Sequence, residues 1–286
     1  MVIQSYLYYL LKDKINLLQN QTHGSVFDTI TRDTFANIEI NLPEIDEQRS
    51  VANILSALDD KIAINKRINR HLEQMAQAIF KSWFIDFEPW SGVMPDDWHN
   101  GILRDICSYN NERVAVSTLT LDTYISTENM ISEKAGFVVA TSLPKTSKTT
   151  AFAKGDTLIS NIRPYFKKIV YSGFAGGCST DVLCFRPNKT NLSHYVFNIL
   201  YNDKFFDYMV IGSNGTKMPR GNKEHIMNYP VTIPADLILD NFMSVVAPMI
   251  DMKLILMGET NKLAVLRDSL LPRLMSGEIS VTKSRH

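Results

Sequence analysis

Shifting the chain by 191 residues lays its two ends on one another, and this internal repeat constrains the fold more than any other feature. Gly24 falls on Gly215, Ile40 on Val231, Leu42 on Ile233 and Pro43 on Pro234; farther on, Leu72 falls on Leu263, Met75 on Leu266, Ile79 on Leu270 and Phe80 on Leu271. No gap is needed from Gly24 to Phe84, and at a shift of 189 Tyr6 to Leu11 matches Tyr195 to Leu200. Identity is low and the apolar positions persist, so two copies of one unit are expected. A full unit opens near Asp97-Trp98 and runs to about Ser276, whereas the first copy would lack roughly its first 90 residues. One complete unit and the tail of another are therefore expected.

Each copy ends in a heptad seam. Over residues 46 to 83 apolar side chains recur at steps of four and three: Val51, Leu55, Leu58, Ile62, then Leu72, Ala76, Ile79 and Trp83, with Asn65 and Asn69 in the two slots between. No Gly or Pro interrupts the run, which predicts a helical rod of roughly 50 Å. Asp46, Glu47 and Gln48 occupy the first turn, where negative charge suits the helix dipole, and Pro43 lies just before it. The second seam reads Phe242, Val246, Met249, Lys253, Leu256, Thr260, Leu263 and Leu270, with Pro248 expected to kink or delay it and Ser276-Gly277 to stop it. Two such seams predict an antiparallel pair. Asn65 and Asn69 are then register devices, because a buried Asn selects one alignment at a cost in stability.

Between the helices the pattern changes. Residues 136–140, 157–160, 168–171 and 181–185 are short apolar or alternating runs bounded by Gly, Pro, Asn and Lys, and they predict strands; Ser193 to Tyr208 predicts a closing helix. The expected class is α+β: a mainly-β domain plus two long helices forming an antiparallel coiled coil. The expected division is 1–42 as the tail of a first globular domain, 43–85 as the first long helix, 86–235 as a complete domain, 236–279 as the second helix and 280–286 as a tail.

Composition supports a packed core, with 45% hydrophobic and 21% charged residues. The 30 Lys and Arg cancel the 30 Asp and Glu, but unevenly. From Lys145 to Lys189 there are eight basic residues against two acidic ones; from Glu44 to Asp105 there are eleven acidic against seven basic. Three cysteines (Cys107, Cys178, Cys184) make no closed disulfide framework, which suits buried thiols in a reducing cytoplasm. Met1 to Leu11 is apolar but too short to span a bilayer and predicts a core helix, so no membrane is expected.

Catalytic signatures are missing from the sequence: there is no phosphate-binding G-x-x-x-x-G-K-[ST] loop, nucleophile elbow, H-E-x-x-H or dinucleotide fingerprint, and the six histidines are scattered without ligand spacing. No catalytic or metal site is expected. The basic segment instead packs Ser160, Asn161, Arg163, Tyr165, Lys167 and Lys168 into nine residues after a strand, a set in which cations hold phosphates while Asn and Tyr reach base edges. A second loop, residues 212–223, supplies Asn214, Gly215, Thr216, Lys217, Arg220 and Lys223, with backbone N–H groups able to form a phosphate nest. Lys145 and Lys148 extend the basic set. On composition alone, a solvated Lys-rich surface reads the same way.

These residues resemble the DNA-specificity subunit of type I restriction–modification systems. The stretch Leu42-Pro43-Glu44-Ile45-Asp46-Glu47-Gln48-Arg49, followed by Val51-Ala52-Asn53-Ile54-Leu55 and Leu58-Asp59-Asp60-Lys61-Ile62, is similar to the family's entry into its first long helix. Leu266 to Ile279 is similar to its C-terminal helix end, and Ser160 to Lys168 and Gly215 to Lys223 resemble segments of its target-recognition domains. The resemblance implies a non-catalytic subunit that reads a split double-stranded DNA site and docks methyltransferase subunits. Its helix-pairing and docking residues would be Val51, Leu55, Leu58, Ile62, Asn65, Asn69, Leu72, Ile79, Leu256, Leu263 and Leu270. S-adenosylmethionine, ATP and Mg would sit on partner subunits, a restriction and translocase subunit among them, and none on this chain. The sequence departs from the family where its first recognition domain should begin. A homodimer, a complementing chain and a fragment of reduced function stay open, as does a non-catalytic coiled-coil adaptor that binds protein.

Overall fold

The computed structural model describes residues 1–15, 40 and 42–281; the segment 24–32 of the first repeat copy lies outside them. Among the described residues there are seven α-helices: α1 (Gln4–Asp13), α2 (Ile45–Phe84), α3 (Leu103–Ile106), α4 (Ser193–Tyr201), α5 (Asp203–Ile211), α6 (Lys223–Met227) and α7 (Asp236–Met275). The repeat is visible in these bounds. Helices α2 and α7 are 40 residues each and start 191 residues apart, while α1 and α4 start 189 apart. Two compact units share them, 1–71 with 253–286, and 72–252.

In the first unit Tyr6, Tyr9 and Leu10 of α1 pack with Val51, Ala52 and Leu55 of α2 and with Leu271 and Leu274 of α7. The start of α2 therefore lies on the end of α7, an antiparallel arrangement. Asp59 accepts from Tyr9 Oη at 2.9 Å and from Arg267 Nη1 at 2.6 Å. Burial works against this carboxylate, but its hydrogen bonds to Arg267 and Tyr9 and the charge of Lys12 outweigh burial and hold it below the usual range. Buried Gln48 ties the chain start to the helix entry: its Oε1 accepts from Ile3 N at 3.0 Å and its Nε2 donates to Pro43 O at 2.9 Å.

The same positions recur in the second unit with aromatic chemistry. Phe242, equivalent to Val51, lies 4.9 Å from Phe84 between ring centroids, and Tyr195, equivalent to Tyr6, lies 4.7 Å from Phe84. The seam of α2 runs as expected through Val51, Leu55 and Ile62, with Leu58, Leu72 and Ile79 half-buried, but it ends on Ala76, Phe80 and Phe84 instead of Ile79 and Trp83. A straight helix drifts against a strict seven-residue repeat, so the buried face moves by one residue over five heptads. In α7 Leu256 is buried, while Leu263 and Leu270 are half-buried beside buried Leu271.

Pro248 neither kinks α7 enough to end it nor delays it. The helix opens twelve residues earlier and continues through it, with Phe242, Val246 and Ile250 buried on either side. Burial of that stripe outweighs one lost backbone donor. At the far end Gly277 adopts φ +76° and Ile279 N bonds Arg273 O at 3.1 Å, so the Ser276-Gly277 stop is a left-handed glycine cap. By length and composition α7 is apolar enough to cross a bilayer, yet it carries Glu259 and Arg267 in ion pairs with α2.

The second unit also holds ten strands: β1 (His99–Ile102), β2 (Cys107–Tyr109), β3 (Arg113–Ala115), β4 (Tyr124–Ile125), β5 (Lys148–Phe152), β6 (Thr157–Ser160), β7 (Ile169–Tyr171), β8 (Gly176–Cys178), β9 (Val182–Pro187) and β10 (Pro230–Ile233). They form a β1-β10 ribbon and two four-stranded sheets, β2-β9-β6-β7 and β3-β5-β8-β4, antiparallel except for β4 with β8. Ile125, Phe152, Leu158, Val170, Cys178 and Cys184 from both sheets make one core cluster. All three cysteines are free and buried, and burial pushes their thiols up, that of Cys178 to about 12.

Two expected elements differ. Residues 136–140 form no strand beyond a single Met130–Phe137 bridge; the buried Asn129 side chain instead donates to Val138 O at 2.8 Å and Tyr124 O at 3.0 Å, satisfying carbonyls that a neighbouring strand would take. The expected helix over Ser193 to Tyr208 is two, α4 and α5, because Asn202 is extended and its side chain accepts from Lys204 N, capping the second.

Candidate nucleic-acid interface

Strand β6 ends at Ser160, and the hairpin loop to β7 is closed at its base by Ser160 N donating to Lys168 O at 3.1 Å. Within it Pro164–Phe166 forms one 3-10 turn, flanked by Arg163 and Lys167, both at φ +50°. A left-handed non-glycine residue costs about 1–2 kcal/mol. Two more, Glu133 at φ +55° and Lys134 at φ +60°, sit on the neighbouring turn, whose Glu133 N donates to Phe166 O and whose Lys134 N donates to Lys167 O. Four of the six positive-φ non-glycine residues described thus gather around one loop. Such residues keep this conformation only where the surrounding structure holds them in it.

The second basic loop pairs directly with the first. Asn214 and Arg220 exchange backbone bonds of 2.9 Å, leaving Thr216, Lys217 and Met218 exposed at the tip beyond Gly215. Arg163 N then donates to Pro219 O at 2.8 Å and Gly221 N to Asn161 O at 3.2 Å, with an Ile162–Arg220 bridge between. A Cβ at Gly221 would lie 2.6 Å from Met209 Cε and 2.9 Å from Asn161 Oδ1, so any larger residue there would have to displace those side-chain ends. Segments that lie more than 50 residues apart in sequence form one surface, with Tyr165 and Phe166 exposed and in edge contact at 4.8 Å.

The structure divides the sequence candidates by what each side chain touches. Ser160 and Asn161 are buried; Ser160 Oγ donates to Ile162 O, and Asn161 Oδ1 has no partner. Arg163 is half-buried with its Nε unpartnered, and no carboxylate neutralises it among the described residues. Lys168 Nζ donates to Thr127 O at 2.7 Å, and Arg220 pairs with Asp181 at 3.1 Å. Lys223 opens α6 with its ammonium 5.7 Å from the Tyr109 ring centroid. Lys145 lies in the loop before β5 and Lys148 is the first residue of that strand, in the sheet that does not carry the loop.

Counting charge along the sequence overstates what this surface presents. Of the eight cations between Lys145 and Lys189, Lys154 pairs with Asp251, Lys167 with Asp203, Arg186 with Asp156 and Glu112, and Lys189 with Asp236. Lys145, Lys148, Arg163 and Lys168, with Lys217 and Lys223 from the second loop, are the cations of the expected set without a carboxylate partner among the described residues. Asp203 and Lys134 carry no sequence motif; only their fold neighbours give them a role.

The chain thus combines a sheet-borne pair of loops in its second unit with two helices of 40 residues each. A sequence model of the type I restriction modification DNA specificity domain matches residues 2–74 and 95–238, and the chain belongs to that family. It is 28% identical to the type I restriction enzyme MjaIX specificity subunit of Methanocaldococcus jannaschii, over 98% of this chain and 70% of that one. It is 44% identical to the HindI specificity subunit of Haemophilus influenzae over 69 residues, 24% of this chain and 15% of that protein. Its fold is similar to a crystal structure of the type I restriction–modification S subunit from M. genitalium, at TM-score 0.58 and 17% identity, covering 94% of this chain and 72% of that one.

Proposed function

We propose that this chain is the sequence-specific DNA-recognition subunit of a type I restriction–modification complex, with the paired loops 160–168 and 214–221 as its reader. The observation that carries the reading is the pairing itself: two loops selected from sequence for phosphate and base chemistry meet through Arg163–Pro219 and Asn161–Gly221 backbone bonds. Arg163, Tyr165 and Lys217 contact DNA, with Lys145 and Lys148 as outlying phosphate contacts. Ser160 and Asn161 set the loop base, and Lys167 and Arg220 are held by carboxylates.

The chain is non-catalytic and directs methyltransferase subunits to its site; these carry S-adenosylmethionine, and a restriction subunit would bring ATP and Mg. Exposed apolar residues of the long helices, Ile64, Met75, Met252 and Ile255, suit protein docking in the cytoplasm. Methylome sequencing of the host with and without this gene tests the reading. Loss of methylation at one bipartite motif is expected; an unchanged methylome, together with no DNA binding by the chain at low salt, leaves the coiled-coil adaptor as the better account.

A further inference from the structure

Asp203 is the first residue of α5, and one lysine from each of the two strained turns converges on it. Lys134 Nζ and Lys167 Nζ each lie 2.8 Å from the same oxygen, Asp203 Oδ1. Lys134 is further held with its ammonium 4.8 Å from the Tyr201 ring centroid, and its side chain is only 15% exposed. The two lysines stand on different turns, the 131–136 hairpin closed by Ile131 N to Gly136 O and the 163–167 turn, and both are left-handed without being glycine. The hairpin tip is Glu133-Lys134, where two successive left-handed residues would ordinarily be Asn-Gly or Asp-Gly. Such a turn does not hold itself. Contacts from outside must, and α5 packs against Pro164–Phe166 to supply them.

We propose that Asp203 is a positioning residue for DNA recognition: one carboxylate pins the two strained turns together and so presents Arg163, Tyr165 and Phe166 in a single conformation. Lys134 and Lys167 are then internal ties and not phosphate contacts. The proposal rests on the loop pair being the DNA reader. It also makes a prediction opposite in sign to simple electrostatics. Removing a negative charge beside a DNA surface should strengthen binding through the longer-range field. Removing a clamp should weaken it, because the loop must then be ordered on binding.

The test uses the full chain and the duplex pool that the wild type enriches from a randomised library. Asp203→Asn is expected to bind that pool about ten-fold more weakly, with faster amide exchange at Glu133, Lys134 and Phe166 and an unchanged melting transition; Asp203→Glu, which keeps the carboxylate, is expected to stay close to wild type. Equal or tighter binding by a folded Asp203→Asn overturns the proposal. If Asp203→Asn does not fold, Lys134→Met is read by the same exchange, and unchanged exchange at Phe166 overturns it. Should Arg163→Ala and Lys217→Ala both bind like wild type, the interface assignment fails instead, while the exchange data still judge the clamp.

Discussion

The helix ends and the loop pair reach order by opposite routes. Where α2 and α7 meet, equivalent positions of the repeat are filled by different side chains, Val51 against Phe242 and Leu271 against Phe80, and all four are buried. Apolar packing tolerates such exchanges when volume and pattern are kept. In the loop pair and the turn beside it, four non-glycine residues are left-handed, two buried polar atoms (Asn161 Oδ1 and Arg163 Nε) lack partners, and backbone bonds and ion pairs hold the shape. The helix ends are specified redundantly and the loop pair by a few specific contacts. Substitutions should therefore separate stability from recognition.

The largest effect should come from the scaffold. Phe242→Ala removes a fully buried ring in contact with Phe80, Trp83 and Phe84 and should cost about 3–5 kcal/mol in thermal or urea unfolding. Arg163→Ala should leave that transition in place while weakening DNA binding by about 1–3 kcal/mol if the side chain touches a base, and less if it touches phosphate. A loop variant that unfolds the chain, or a scaffold variant that lowers affinity with no loss of stability, would break the contrast.

A pH effect comes next. His194 is buried, its Nδ1 has no partner and its ring stacks on Tyr171 at 5.0 Å; burial lowers its pKa to about 4, against the opposing charge of Asp251. Because the folded value lies below the unfolded one, near 6.5, the unfolded chain takes up the proton first as pH falls. Stability should therefore drop between pH 6.5 and 4, by at most ~3 kcal/mol from this group. Urea titrations across that range should show a slope that His194→Leu flattens.

Smaller still is the register device. Asn65 is fully buried and donates to Glu259 at 2.8 Å from the other long helix, while its Oδ1 and that of Asn69 are unpartnered. Asn65→Leu copies the residue at the equivalent position, Leu256. It should raise stability by about 1 kcal/mol and loosen the helix register, which cysteine cross-linking between the helices would report.

Much of the scaffold was legible in the sequence because burial has a period. The 191-residue shift and the steps of four and three located both helices to within a few residues, and the seam slipped by one residue at Phe80 and Phe84 in α2 and at Ile250 and Leu271 in α7. Pro248 is not a break, contrary to its local propensity, because the buried stripe of Phe242, Val246 and Ile250 holds the helix through it. The strands over 157–160, 169–171 and 182–187 followed from apolar runs, though not their pairing, and 136–140 did not form one, since the Asn129 side chain takes up Val138 O there. In the candidate site, composition located both loops and could not say which cations stay unpaired. That depends on Asp203, Asp251 and Asp236, which only the fold brings to Lys167, Lys154 and Lys189.

The most direct test of the central claim, that the paired loops read DNA, is the salt dependence of duplex binding by the full chain and by an Arg163→Ala, Lys217→Ala double variant. For the wild type, log K should fall linearly with log[salt], with a slope of about −0.9 per phosphate contact, and the double variant should bind more weakly with a slope shallower by about one to two units. An affinity that does not respond to salt, or a double variant indistinguishable from wild type in both affinity and slope, would contradict it.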